Sequence, residues 1–324
     1  MPAMIKRLLG STDMAISAVG IGAFGIGGWM WGEQDDADSK RALHAALDHG
    51  VNWIDSAPIY GSGRADRVVA EVLRERAAGS RPLLFTKFGH HLVDGKRVSV
   101  ADRATVLRDC EYALETFGIE RIDLFQLHWP TPTPIAETAG AITELLAAGK
   151  IRALGVCNVS PRELAEWQAT GVPLQAVQNA YSVVKPEAEK EVLPWCAEHG
   201  VGFLAYSPLQ RGLLFGTWTA DKRFPAGDHR GERADFRGPR LARYLGAVDE
   251  LKAIAAADDL EVAELALGCL MCHEGMTACI VGARTAAQGA YLGRLGMPAT
   301  RAQLAAVDAV CVRLFADLAA IAEG

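Results

Sequence analysis

The sequence has no excess of positive charge, no long apolar span, no regular cysteine framework and no metal-binding motif. Its net charge is −6, which argues against a broad nucleic-acid or anionic-membrane surface. Residues 18–31, AVGIGAFGIGGWMW, carry no charge, but they are too short and too glycine-rich for a membrane span. The opening MPAMIKRLLGSTDM lacks the apolar core of a signal peptide. Seven cysteines form an odd set without regular spacing, so reduced thiols and a cytoplasmic location are expected. Cys269 and Cys272 make one CxxC, but no second ligand pair accompanies it, and core packing is expected for both. HExxH is absent and the histidines are scattered, so no metal site is expected. With neither a low-complexity linker nor a composition break, residues 1–324 are expected to form a single domain. Half of the residues are hydrophobic and 22% are charged, as in a globular protein.

What is present is a repeated unit. A helical stretch ends, a glycine follows, and an apolar run begins. The junctions are Gly50 before VNWID, Gly79 before SRPLLFTK, Gly118 before IERIDLFQLH, Gly149 before KIRALGVCN, Gly171 before VPLQAVQN and Gly200 before VGFLAYS. Glycine just past a helix takes the left-handed conformation that a side chain penalises. The runs are continuously apolar, as parallel strands covered on both faces are. Strands are expected to start near residues 19, 51, 83, 122, 151, 174, 201 and 277. Eight strands alternating with helices point to an α/β fold, a (β/α)8 TIM barrel. A doubly wound sheet is the alternative, but Gly20, Gly22, Gly25, Gly27 and Gly28 do not hold the GxGxxG spacing.

Two additions stand outside the repeat. IKRLLGSTDMAIS reads as an N-terminal β-hairpin closing the bottom of the barrel. Residues 208–240 form a long loop after strand 7, with seven positive and four negative side chains, a net of +3. Such a loop suits an anionic ligand at the strand ends, or is simply a solvated charged loop.

In a barrel of this kind the site lies at the C-terminal ends of the strands. The residues there are Asp55 with Tyr60 beyond it, Lys87, His128, Cys157 and Asn158, Gln178, Tyr206 and Ser207, and Arg284. Each alone can be an ordinary polar strand exit. Together, a tyrosine, a lysine, a carboxylate and a histidine from three neighbouring strands suggest a proton donor. A nearby cation lowers a phenol's pKa, and Lys87 could supply that charge, held by Asp55. His128 could bond a substrate oxygen. Such a group protonates an oxygen that gains charge as hydride reaches carbon. His90 and His91 are adjacent and are expected to face opposite ways, as a loop or rim contact.

The chain resembles the aldo-keto reductase family, in its bacterial branch, over nearly its whole length. The motifs that carry the resemblance are GVNWIDSAPIYGSG, LLFTKFG, IDLFQLHWPTP, GKIRALGVCNVS, QAVQNAYS, AYSPLQRGLL and IVGARTAAQ. The resemblance implies a (β/α)8 barrel that reduces aldehydes and ketones with NADPH, or with NADH. It implies Tyr60 as general acid, tuned by Lys87 and Asp55, with His128 orienting the carbonyl. Asn158 and Gln178 would hold the nicotinamide carboxamide and Tyr206 would stack on its ring. Ser207, Pro208, Leu209 and backbone near Arg211 would meet the pyrophosphate. Arg284 and Gln288 would reach the adenosine end, Arg284 at the 2′-phosphate. Gly22, Phe24, Cys157 and Gly282 would line the cofactor.

The chain departs from the family at three places. Cys157 stands where serine is usual, Thr217 where lysine is common, and Tyr291 and Leu292 where a Glu-Asn pair often contacts adenine. Trp29, Trp31 and Trp129 are expected to rim the pocket. A small carbonyl compound is the expected partner, not a free acid, with Arg64 the one nearby cation that could argue otherwise. The alternative to an enzyme is a cofactor-binding regulatory or redox-sensing subunit of the same fold.

Overall fold

The computed structural model describes residues 4–322. β1 (Lys6–Leu8) and β2 (Ala15–Ser17) pair antiparallel as the expected hairpin. The remaining strands in chain order are β3 (Val19–Gly22), β4 (Trp53–Asp55), β5 (Leu83–Phe88), β6 (His90–Val93), β7 (Lys96–Ser99), β8 (Ile122–Leu127), β9 (Ile151–Cys157), β10 (Leu174–Ala180), β11 (Gly202–Tyr206) and β12 (Met276–Gly282). Strands β3, β4, β5, β8, β9, β10, β11 and β12 close into a barrel, each parallel to its neighbours. These are the eight strands read from the sequence. β6 and β7 form a small antiparallel hairpin beyond β5 that the pattern of apolar runs did not reveal.

The helices are α1 (Asp36–Asp48), α2 (Arg64–Glu75), α3 (Arg103–Phe117), α4 (Ile135–Ala147), α5 (Pro161–Ala169), α6 (Val192–His199), α7 (Gly238–Ala256), α8 (Val262–Leu270), α9 (Ala286–Tyr291) and α10 (Arg301–Ala322). Five of the six junction glycines have positive φ: Gly50, Gly118, Gly149, Gly171 and Gly200. Gly79 does not. Helix α2 stops earlier, at Glu75, and the chain passes through a short 3-10 turn, Ala78–Ser80, before β5. Of the CxxC pair, Cys269 is buried in the core as expected. Cys272 lies past the end of α8 and is exposed, a correction to that reading.

The barrel interior follows the two-residue period of a strand. Trp53, Phe85, Leu124, Ala153, Ala176, Leu204 and Ala278 fill it as one apolar cluster. Leu9, Met14 and Ile16 of the N-terminal hairpin join that cluster and close its lower end. Gly20 leaves room for the indole of Trp53, since a Cβ there would lie 2.1 Å from that ring. Two residues further along five of these strands stand Asp55, Lys87, Gln126, Gln178 and Tyr206. The apolar layer is therefore the floor on which the polar layer rests.

The segment after β11 is a packed unit and not a solvated loop. It contains 3-10 turns at Gln210–Phe215, His229–Glu232 and Ala234–Phe236. Trp218 meets Phe224 and Phe236 at ring distances of 5.1 and 5.0 Å. This aromatic cluster gives the segment a core of its own.

Candidate active site

Asp55 ends β4 and Lys87 sits near the end of β5, neighbours in the barrel. Both are buried, and Lys87 Nζ donates to Asp55 Oδ1 at 2.5 Å and to the Ser56 carbonyl at 3.1 Å. The other carboxylate oxygen, Asp55 Oδ2, accepts from Gln178 Nε2 at 2.9 Å and Gln126 Nε2 at 3.1 Å. Gln178 Nε2 also donates to Gln126 Oε1 at 3.0 Å, and the Cys157 thiol lies 3.8 Å from that oxygen. A buried ion pair is tolerable only when its remaining hydrogen-bonding capacity is met, and this one is met by Gln126, Gln178 and the Ser56 carbonyl. Burial opposes the charge on Lys87, but Asp55, Tyr60 and Cys157 together outweigh it, and the ammonium is held above its ordinary range. Burial keeps the Cys157 thiol protonated, with its pKa raised.

Tyr60 lies in the turn beyond β4, half-buried, with Lys87 Nζ 5.2 Å from its ring centre. Two glycines set that turn. Gly27 and Gly61 press backbone to backbone: a Cβ at Gly27 would lie 2.7 Å from the Tyr60 carbonyl carbon, and one at Gly61 would lie 2.2 Å from the Gly27 oxygen. Lys87 pulls the phenol's pKa down, as its charge requires. Burial pushes it up by more, so the phenol rests above its ordinary value and stays protonated at neutral pH. The net direction is therefore opposite to the one expected from the cation alone.

His128 follows β8, buried, with its ring 5.7 Å from that of Tyr60. Burial first, then Lys87 and His90, hold it well below the usual histidine range, so the imidazole is neutral. Its Nδ1 is buried without a hydrogen-bond partner.

The residues expected at a cofactor surface surround this group. Asn158 donates from Nδ2 to the His128 carbonyl at 2.9 Å and accepts from the Tyr206 hydroxyl at 2.7 Å. Gln178 is drawn into the Asp55 network, which uses both of its N–H groups and leaves only Oε1 for a ligand. Gly22 and Gly282 are paired across β3 and β12. Phe24 lies tilted against Tyr60 at 5.0 Å and edge-on to Trp31 at 5.8 Å. Beyond β11, Pro208 and Leu209 lie in a turn in which Ser207, Gln210 and Arg211 all have positive φ, as does Asn158 beyond β9. Such conformations are costly for residues with side chains and gather at ligand sites.

The Arg284 guanidinium donates to the Trp31 carbonyl at 3.0 Å, to Gln34 Oε1 at 2.5 Å and to the Glu33 carbonyl. Its backbone N–H donates to Gln288 Oε1 at 2.8 Å. Three of five guanidinium donors are thus used on the loop after β3, and two remain. Trp31 and Trp29 lie in that loop, Trp29 under Arg97 at 5.3 Å, and Trp129 is 43% exposed at the mouth. Arg64 donates to Asp36 Oδ1 at 2.8 Å and to the Gln34 carbonyl.

Several residues here were not singled out from the sequence. Gln126 could have been, since QLH on a strand puts it on the same face as His128. Asp66 of α2 is fully buried, accepts from the Ser56 hydroxyl at 2.5 Å, and has its other oxygen unpaired. Burial pushes its pKa up to about 6. His229 bonds the Met30 carbonyl through Nδ1 at 2.6 Å and meets Arg211 through Nε2 at 2.7 Å.

A dinucleotide needs a place for its phosphates, and the chemistry of this group provides one. Arg211 has no carboxylate within ion-pair distance among the described residues, and burial together with Arg233 and Arg230 lowers its pKa to about 10. Arg233 Nε is buried without a partner. Unpaired arginines beside a strained turn suit an anion.

Comparison with known proteins identifies the family. The Aldo/keto reductase family model matches residues 18–310. The chain is 35% identical to the aldo-keto reductase YhdN of Bacillus subtilis, over 86% of this chain and 85% of that one. It is 29% identical to the NADH-specific methylglyoxal reductase of Escherichia coli, over 97% and 99%. Among solved structures, a glycerol dehydrogenase of Gluconobacter oxydans superposes with a TM-score of 0.88 at 34% identity, covering 97% of this chain and 96% of its own. The chain belongs to the aldo/keto reductase family, whose members are oxidoreductases acting on carbonyls and alcohols with nicotinamide cofactors.

Proposed function

We propose that this family member reduces aldehydes or ketones to alcohols with NADPH, NADH being the alternative donor, with Tyr60 as the general acid. The observation that carries the proposal is the buried Asp55–Lys87 pair set against the rings of Tyr60 and His128. The bound nicotinamide supplies the hydride. Tyr60 and neutral His128 bond the carbonyl oxygen from two sides and fix which face of the carbon is presented. The oxygen gains negative charge as hydride arrives, and the Tyr60 hydroxyl gives it a proton. The phenolate left behind is the state that Lys87 stabilises, since a cation beside a phenol favours its charged form. Asp55, fixed by Gln126 and Gln178, keeps that cation in place. The raised pKa of free Tyr60 suits an acid that must hold its proton until the oxygen becomes basic.

Asn158, Tyr206 and the free Oε1 of Gln178 are the groups proposed to place the nicotinamide. Arg211, Arg233 and the Ser207–Leu209 turn are proposed to meet the phosphates, and the two free donors of Arg284 the 2′-phosphate. A glycerol dehydrogenase and a methylglyoxal reductase among the relatives support small oxygenated substrates.

Tyr60→Phe tests the assignment. It is expected to lose at least about 100-fold in kcat for aldehyde reduction, while cofactor affinity, measured by nucleotide fluorescence, holds. Full activity in the variant would remove Tyr60 as the acid. Cofactor binding by the wild-type protein with no turnover on any of a panel of aldehydes would favour a regulatory role.

A further inference from the structure

The segment after β11 carries seven cations, and the fold divides them. Arg230 and Arg233 stand beside Arg211, at the turn proposed to meet the phosphates, and Arg230 is also paired with Asp228. Arg240 pairs with Asp235 at 2.9 Å. The other three, Lys222, Arg223 and Arg237, have no part in the proposed reaction. They line a cavity of about 520 Å³ between this segment and the start of α7. Small-molecule sites measure roughly 300–1,000 Å³.

The apolar lining of the cavity includes Phe224, Phe236 and Leu241, the last two buried. Its charged lining is the three cations, with no acidic side chain. Lys222 Nζ lies over the rings of Phe224 and Trp218 at 5.5 and 5.8 Å. Arg237 donates from Nε to the Gly231 carbonyl at 2.5 Å, and Arg223 from Nη1 to the Lys222 carbonyl at 3.1 Å. These contacts place the cations without neutralising them. Helix α7 adds to the same sign, since it begins here with no acidic residue in its first turn and no side-chain cap. A second groove, of about 410 Å³, lies between the loop after β8 and α5 and shows the contrast. Its cation Arg162 is paired with Glu166 at 2.9 Å, and Glu163 lines it too. Charge is balanced within that groove and left open in the first cavity.

We infer that the cavity beside α7 is a second ligand site, which takes a small organic anion with an apolar body, such as an aromatic carboxylate. Lys222 and Arg237 meet the anionic head with charge-assisted hydrogen bonds, and the body lies on Phe224, Phe236 and Leu241. The cavity shares no residue with the group around Tyr60, so its ligand is not the substrate. The site stands whether or not Tyr60 is the acid.

Isothermal titration calorimetry of the whole chain with NADPH bound tests this, with naphthoate as the probe and naphthalenemethanol as its uncharged counterpart. Naphthoate is expected to bind, and naphthalenemethanol to bind about tenfold or more weakly, as the loss of a charge-assisted hydrogen bond implies. Neither Lys222 nor Arg237 belongs to the core. The double variant Lys222→Gln, Arg237→Gln is expected to weaken naphthoate about tenfold or more, and to leave aldehyde turnover without the probe unchanged. Lys222→Arg, which keeps the charge, is expected to retain most of the affinity. The same titration without NADPH reads the site independently of the proposed cofactor. Naphthoate binding that the double variant does not alter would place the probe elsewhere and overturn the inference. Equal affinity for the two probes would overturn it, as would no heat from naphthoate at millimolar concentration. Lower turnover in the double variant would assign these cations to the active site and overturn it as well.

Discussion

Asp66 is the least expected charge near the site, because it is buried on a helix and carries an unpaired oxygen. It fixes the Ser56 hydroxyl, and the Ser56 carbonyl in turn accepts from Lys87. That chain of contacts links α2 to Lys87. Its consequence is a pH-dependent cost. The folded value, about 6, lies above the ordinary carboxyl value of 3.8. Stability from this group is therefore complete below the unfolded value and is lost as pH rises through about 6. Asp66→Asn removes the titration. Between pH 4.5 and 7.5 the stability difference between the variant and the wild type is expected to move in the variant's favour by about 2 kcal/mol. Urea midpoints of both proteins at the two pH values measure this. A difference that does not change with pH would show that Asp66 ionises normally. His90 and His128 titrate in the other direction, both lowered, so neither becomes charged across the neutral range.

At the scale of elements, what could be read in advance depended on how local its cause was. The eight barrel strands were legible because strands covered on both faces must be apolar throughout, and because glycines end the helices before five of them. The Asp55, Lys87 and His128 positions followed from the strand ends. Gln126 was open to the same reading, two residues before His128, but Asp66 was hidden on a helix face, where polar residues usually meet solvent. The loops were hidden for a different reason. His229 bonds Met30 across 199 positions of sequence, and Arg284 bonds Trp31 across 253; no periodicity encodes either. Helix packing shows the same limit at Gly289 of α9. A Cβ there would lie 2.1 Å from the Ala42 carbonyl oxygen of α1. In a helix, alanine in place of glycine gains about 1 kcal/mol from propensity. Pushing two backbones apart costs roughly 1–3 kcal/mol, and a carbonyl cannot rotate away as a flexible side chain can. Gly289→Ala is therefore expected to be destabilised, read as a lower urea midpoint. A raised midpoint would mean that α1 and α9 are less closely packed than this.

Over the whole molecule, three insertions meet above the barrel mouth: the loop after β3, the β6–β7 hairpin and the long segment after β11. Arg97 reaches Trp29 and Met30 from the hairpin, His229 and Arg230 reach Met30 and Trp31 from the long segment, and Arg284 holds Trp31, Glu33 and Gln34 from beyond β12. Arg284 thus ties down one wall of the mouth with three donors and keeps two for a ligand. Arg284→Ala separates these two roles in a single thermal-denaturation series. Loss of the clamp lowers the melting temperature without nucleotide. Loss of a phosphate contact acts only with NADPH. A nucleotide at 100 times its Kd stabilises the folded state by about 2.7 kcal/mol, roughly a 5 °C rise for a chain of this length. A charge-assisted bond is worth about 1.5–3 kcal/mol, so the variant is expected to bind NADPH about 10- to 100-fold more weakly. NADH carries no 2′-phosphate, and its shift is expected to hold in the variant. Equal losses for both nucleotides would make Arg284 a clamp alone and leave the choice of cofactor to other residues.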